Sequence, residues 1–366
     1  MKTWIVNSIP TTFAMAFVLL TAACGETDVN NGGGSPNSNQ WAIPQDRVFD
    51  GGPGKDGIPA LENPKLITVA EASYLSDNDL VLGYKNGSEV RAYPHSILDW
   101  HEIINDRVDD HAFAITYCPL TGTGIGWDRV IKGEETTFGV SGLLFNSNLL
   151  PYDRKTDSNW SQMRLDCVNG ELIGTEIQTF NLIETTWASW KSMYPDTKVV
   201  STSTGFNRNY GRYPYGDYKT NNSNLLFPVS PADDRIASKE RVLGIVLDGK
   251  SKVYKFSSFA SDDIVVRKDQ FEEHDIVIVG SEMHNFILAF KSKLSDGTTV
   301  NLAAKNAVEA VSDVIMVDDE GSEWDVFGEA VRGPRKGEKL QPVVSFIGYW
   351  FAWGAFYPTP VIFGME

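Results

Sequence analysis

Basic residues are in short supply: 32 Lys and Arg stand against 48 Asp and Glu, a formal charge of −16 over 366 residues. A deficit of that size repels phosphate backbones and excludes nucleic acid as the expected partner. With 22% of residues charged, the bulk composition also excludes a multi-span membrane protein. The sequence contains no GxSxG elbow, P-loop, HExxH or EF-hand pattern, and no GxGxxG after a strand. What it does contain is 42% apolar residues, enough for a sizeable core, with 10 Trp, 13 Tyr and 19 Phe. That composition excludes wholesale disorder and collagen-like repetition, and favours a β-rich fold packed through aromatic rings.

The N-terminus reads as an address. Lys2 supplies a positive start, and Thr11 to Ala23 is an uncharged apolar run of 13 residues, too short to span a membrane. The run ends in Leu20-Thr21-Ala22-Ala23-Cys24, which resembles the bacterial lipobox, where cleavage precedes a lipid-modified cysteine. Residues 1–23 are therefore expected to be a signal peptide, with Cys24 the lipidation site and the membrane the partner, through the lipid anchor. The implied location is the bacterial cell envelope, at the outer membrane or cell surface. Residues 24–55, which include the Gly/Asn/Ser-rich stretch Gly25 to Asn39, are expected to carry the lipidated cysteine and a flexible tether.

Beyond the tether the chain repeats itself. Val81 to Tyr93 and Val242 to Tyr254 each read as a strand, a tight turn at Asn86-Gly87 or Asp248-Gly249, and a second strand, 161 residues apart. The strands led by His111 and His274, and the helical segments Trp187-Ala-Ser-Trp190 and Trp350-Phe-Ala-Trp353, recur at 163. Ordered matches at a nearly constant offset predict an internal duplication. Copy one is expected over 56–203 and copy two over 226–366, the latter as scaffold. Residues 204–225, rich in Tyr, Gly and Asn, are expected to form an aromatic connecting segment. The expected fold class is α+β and β-rich, two tandem related copies with mostly antiparallel sheet. Within copy one, helical spacing over Pro94 to Asn105 predicts one helix, and Trp-x-x-Trp ending at Pro195 predicts another.

Copy one holds the unusual residues. Arg91-Ala-Tyr-Pro-His95, Trp100-His101-Glu102, Asn105-Asp106 and Thr116-Tyr-Cys118-Pro-Leu-Thr-Gly122 resemble the bacterial domain-of-unknown-function 3179 family. So do Phe138-Gly-Val-Ser-Gly142 and Tyr152 to Gln162, and the likeness runs from Ile58 to Pro358. The resemblance implies no assigned activity. It implies Cys-Pro-Leu-Cys where this chain has Cys118-Pro-Leu-Thr121, so a CxxC dithiol or a two-thiolate metal grip is excluded in this loop.

Taken on their own chemistry, Cys118, His101 and Glu102 are the candidate catalytic residues, with His101 the base that would activate a thiolate. His95, His101 and Cys118 are the candidate metal ligands, and a transition metal is the cofactor such a set would hold. His101 and Glu102 are neighbours on the expected helix and point about 100° apart, while Asn105 is expected to share the His101 face. The competing fates of Cys118 are a disulfide with Cys167 or an inert buried thiol. Asn146, Asn148, Asp153, Arg154, Asp157, Ser158 and Gln162 either line a polar cleft or form the hydrogen-bond net of a long ordered loop. Arg154 is expected to form a structural ion pair with Asp128 or Asp157. At the offset of 163, Ser281 stands where Cys118 does, and copy two lacks a Trp-His-Glu sequence. Two functions follow from different classes: a thiol or metal site in copy one, or a non-catalytic envelope lipoprotein that binds a ligand or partner through aromatic surfaces.

Overall fold

A computed structural model describes residues 40–261, 263–305 and 311–365. Residues 1–39, which hold the expected signal peptide, Cys24 and most of the expected tether, lie outside the described residues. Residues 40–55 belong to the folded body instead of the tether. Ala42 N donates to Val168 O at 2.8 Å, Ile43 is buried, and the strand Val48–Asp50 pairs with Leu143 to Phe145. Trp41, Ile43, Val48 and Phe49 give this stretch apolar surface to bury, which the Gly/Asn run before it lacks.

The fold is β-rich and mostly antiparallel. Both expected hairpins form. Asn86 pairs with Glu89 across Gly87-Ser88, so the first turn falls one residue later than the expected Asn86-Gly87, and Leu247 pairs with Lys250 across the expected Asp248-Gly249. Asp248 and Gly249 both adopt positive φ, as the turn type matched to strand twist demands. The first hairpin sits in a five-stranded sheet between the strands Ile183–Thr186 and Lys198–Val200. The second lies between Val344–Tyr349 and Val361–Ile362 in a four-stranded sheet.

These neighbourhoods repeat in register. Ile183 pairs with Gly83, and Phe346 pairs with Gly244. Lys198 pairs in parallel with Arg91, and Val361 with Lys252. Tyr93 Oη donates to Asp106 Oδ2 and Tyr254 Oη to Asp269 Oδ2, both at 2.7 Å. Trp160 Nε1 donates to Asp153 Oδ2 at 3.1 Å, and Trp324 Nε1 to Asp318 Oδ2 at 3.0 Å.

The halves do not keep separate cores. Helix α2 (Trp187–Met193) buries Trp187 and Trp190 in one cluster with Val277, Phe286 and Trp324 from the later half. Helix α3 (Trp350–Phe356) buries Trp350 and Trp353 with Ile103, Trp127 and Trp160 from the earlier half. Each Trp helix therefore completes a core shared with the other half. Among the described residues no helix is long and apolar enough to cross a membrane.

A candidate ligand cavity beside helix α1

Helix α1 spans His95–His101 and stops earlier than the periodicity over Pro94 to Asn105 suggests. Glu102 takes φ 57° and ψ −34°, a left-handed conformation that Glu rarely adopts. Its N–H still donates to Leu98 O at 2.8 Å, and its C=O accepts from Tyr117 N at 2.7 Å. The chain reverses there into the strand Ile103–Val108, where β-branched Ile103 and Ile104 pair with Thr116 and Ile115. Asn105 is consequently a strand residue and does not share a face with His101. Its amide bridges strands, donating to Phe138 O and accepting from Phe138 N, each at 2.8 Å.

His101 is sealed on both sides. Its Nδ1 lies 2.7 Å from Pro59 O and its Nε2 2.7 Å from Tyr210 Oη. Since the carbonyl only accepts, Nδ1 carries the proton and Nε2 accepts from Tyr210. Burial lowers the His101 pKa, so the ring is held neutral. Neither nitrogen is left to take a proton from Cys118.

Cys118 is 1% exposed in an apolar cluster, and its Sγ donates to Ser147 O at 3.6 Å. Burial pushes its pKa up to about 11, with Glu102 adding to the rise. Thiolate is therefore disfavoured, the reverse of a working nucleophile. Cys118 and Cys167 are both buried free thiols, so the disulfide alternative is corrected. His95 is also buried, its ring against Tyr117, with Nε2 3.5 Å from Glu184 Oε2 but not aligned for a hydrogen bond. His95, His101 and Cys118 thus point to three different sets of neighbours. Among the described residues no group of three or more His, Cys, Asp or Glu side chains is placed to hold a metal ion.

The polar residues after Phe138 make the internal net of the alternatives above. Asn148 Nδ2 donates to Thr121 Oγ1 at 2.9 Å and to Gln162 Oε1 at 2.7 Å. Gln162 Nε2 donates to Thr116 Oγ1 at 3.0 Å and Thr123 O at 3.1 Å. Thr121, the residue where Cys-Pro-Leu-Cys would place a second thiol, is thus tied into this net. Arg154 pairs with Asp56 at 2.8 Å and Glu62 at 3.3 Å, not with Asp128 or Asp157.

The open space lies on the other side of α1. A cavity of about 310 Å³ is bounded by Asp99, Trp100 and Glu102, by Leu143, Leu144 and Leu149, and by Arg208, Tyr215 and Phe227. Its far wall is the strand Phe138–Phe145, whose register shifts between Val140 and Leu144. Such a bulge re-aims side chains. Gly142 within it has φ 81°, and a Cβ there would fall 2.7 Å from the Gly54 backbone, so the loop before Gly57 closes against it. The roof is the connecting segment. Trp100 Nε1 donates to Arg212 O at 3.1 Å, and Tyr213 and Tyr218 donate to Pro119 O and Leu120 O at 3.3 and 2.8 Å.

Two carboxyls line this space. Asp99 Oδ2 pairs with Lys219 Nζ at 3.0 Å, and among the described residues its other oxygen has no partner. Burial raises its pKa against the pull of Lys219. Glu102, 6% exposed, receives one long hydrogen bond, from Tyr215 Oη at 3.5 Å. Burial, with Asp99 nearby, pushes its pKa up to about 8, so it is a neutral acid at pH 7 that can donate a hydrogen bond. Sequence reasoning singled out Glu102, and marked the aromatic segment 204–225 as the candidate surface of the binding alternative, but named neither Arg208 and Tyr215 within it nor the leucine wall.

Residues 55–360 match the family model described as Protein of unknown function (DUF3179), and the chain belongs to that family. No curated protein and no solved structure matches the chain.

Proposed function

We propose that the protein is a lipid-anchored envelope protein that binds a small, largely apolar molecule in the cavity beside α1. The observation that carries this is the cavity itself: about 310 Å³, walled by Leu143, Leu144, Leu149 and Phe227, with a few polar groups in its lining. Binding sites for small molecules combine those features. The sealed His101 and the raised Cys118 pKa favour this reading over thiol chemistry. Titration calorimetry with octan-1-ol and with octanoate tests it. Saturable binding of at least one, abolished when Leu149→Trp fills the space, is the expected result; no binding of either overturns it.

The anchor rests on Leu20 to Cys24 and the polar stretch that follows. A lipid-modified Cys24 would hold the folded body to the membrane, since each buried methylene contributes about 0.8 kcal/mol. Cys24→Ala is expected to release the protein from membranes; pelleting that persists after a high-salt wash would place the anchor elsewhere. We also propose that the two halves descend from one duplicated unit. The repeated registers and the paired Tyr–Asp and Trp–Asp bonds support this.

A further inference from the structure

The charge around the cavity narrows the class of molecule, provided the cavity is a ligand site as proposed above. Three ionisable side chains line it: Asp99, Glu102 and Arg208. Asp99 is already paired with Lys219. Glu102 is buried, with one long hydrogen bond from Tyr215. Arg208 is different. Among the described residues its guanidinium makes no ion pair; it bonds the neighbouring Asn207 carbonyl at 3.4 Å and lies over the Trp100 ring at 6.0 Å. A lone guanidinium at an apolar space presents a planar fork suited to a carboxylate.

Size sets the rest. At about 30 Å³ for a water-sized group, the space takes on the order of ten heavy atoms. We propose that the ligand is a medium-chain monocarboxylate, its head paired with Arg208 and its chain against Leu144, Leu149 and Phe227. An alkylammonium of the same length would meet Arg208 as a like charge. An alcohol would leave the guanidinium without a counter-charge.

Protonation of Glu102 is part of the fit. Neutral, it adds no repulsion to an anion in the cavity; ionised, it opposes one. The groups around it are Asp99 with Lys219, Tyr215 and Cys118, with Arg208 in the same cavity; burial raises the pKa of Asp99 as well, and pushes that of Glu102 to about 8. Carboxylate affinity should therefore fall as pH rises through that value.

The test uses the full chain carrying Cys24→Ala, so that neither lipid nor detergent competes. Calorimetry at pH 6.5 and low salt compares octanoate, octan-1-ol and octylamine. Octanoate should bind about tenfold tighter than octan-1-ol, the scale of one charge-assisted contact, and octylamine weakest. Arg208→Gln should erase the preference and spare the alcohol, and Glu102→Gln should flatten the loss of octanoate affinity above pH 8. Equal affinity for octanoate and octan-1-ol, or a preference that survives Arg208→Gln, overturns the carboxylate while leaving the cavity reading intact. If none of the three binds, the cavity reading falls as well.

Discussion

Gly83 lies flat beneath the indole of Trp190: a Cβ added to Gly83 would fall 2.2 Å from Trp190 Cζ3. In the later half Gly244 lies beneath Trp353 in the same way, with a Cβ 2.1 Å from Cζ2. Both tryptophans are wholly buried, so neither ring can swing aside into solvent. Overpacking a close-packed core typically costs about 1–3 kcal/mol, occasionally more. Gly83→Ala and Gly244→Ala should each lower the free energy of unfolding by at least that much, and the denaturation midpoint with it. Because each Trp helix completes a core shared with the other half, either substitution should weaken the whole body. Urea unfolding followed by intrinsic Trp fluorescence checks this, and two separate transitions in Gly244→Ala would contradict the shared core.

The thiols give a second prediction. Cys118 and Cys167 are buried, and burial pushes their pKa values to about 11 and 12. At neutral pH both should resist alkylation in the folded protein and react together on unfolding. Reductant and chelator should change neither rate. Rapid labelling of folded Cys118 by iodoacetamide at pH 7 would restore the thiol-chemistry reading.

Much of this architecture was legible because local rules and tertiary packing agreed. Alternating apolar residues around Asn86-Gly87 and Asp248-Gly249 made hairpins, and Trp187 to Met193 made a helix stopped before Pro195. Helix α1 was overrun by four residues, because nothing in the identity of Glu102 announces a positive φ. His101 and Cys118 flank one reversal of the chain, yet their side chains have separate neighbours; proximity in sequence carries no information about direction. The cavity was hidden for a different reason. Its walls come from Leu143 to Leu149 and from Arg208 to Phe227, about 60 residues apart and joined only by folding.

Glu102 makes stability depend on pH with a definite sign. Its folded pKa of about 8 is above the ordinary value of 4.5, so the folded state holds a proton that the unfolded chain releases. The stabilisation tied to that proton is fully present below pH 4.5 and is lost as pH rises through about 8. Glu102→Gln cannot ionise, so relative to wild type it should gain stability between pH 4.5 and 8, by on the order of a few kcal/mol. Denaturation midpoints of both proteins at pH 5 and pH 8.5 measure this. A constant difference between them across that range would show that Glu102 is ionised in the folded protein.

Lys239 ties down the end of the segment that roofs the cavity. Lys239 is 7% exposed, and its ammonium donates to the carbonyls of Asn221 at 2.8 Å, Asn224 at 2.7 Å and Tyr218, while lying 3.3 Å from the Tyr218 ring centroid. Three backbone acceptors gathered on one cation are what hold the end of a segment that has no helix or strand of its own. Lys239→Met keeps much of the side-chain volume and removes the donors, leaving those carbonyls to find water or go unpaired. With bonds to a charged group contributing about 1.5–3 kcal/mol, the segment should loosen before the body unfolds. Limited proteolysis should therefore cut Lys239→Met within 204–225 at a protease level that spares wild type, with little change in global midpoint. Because Tyr215 and Arg208 lie in that segment, octanoate affinity should fall in parallel. A variant as resistant to protease as wild type would mean that Tyr213, Tyr218 and the Trp100–Arg212 bond hold the roof without Lys239.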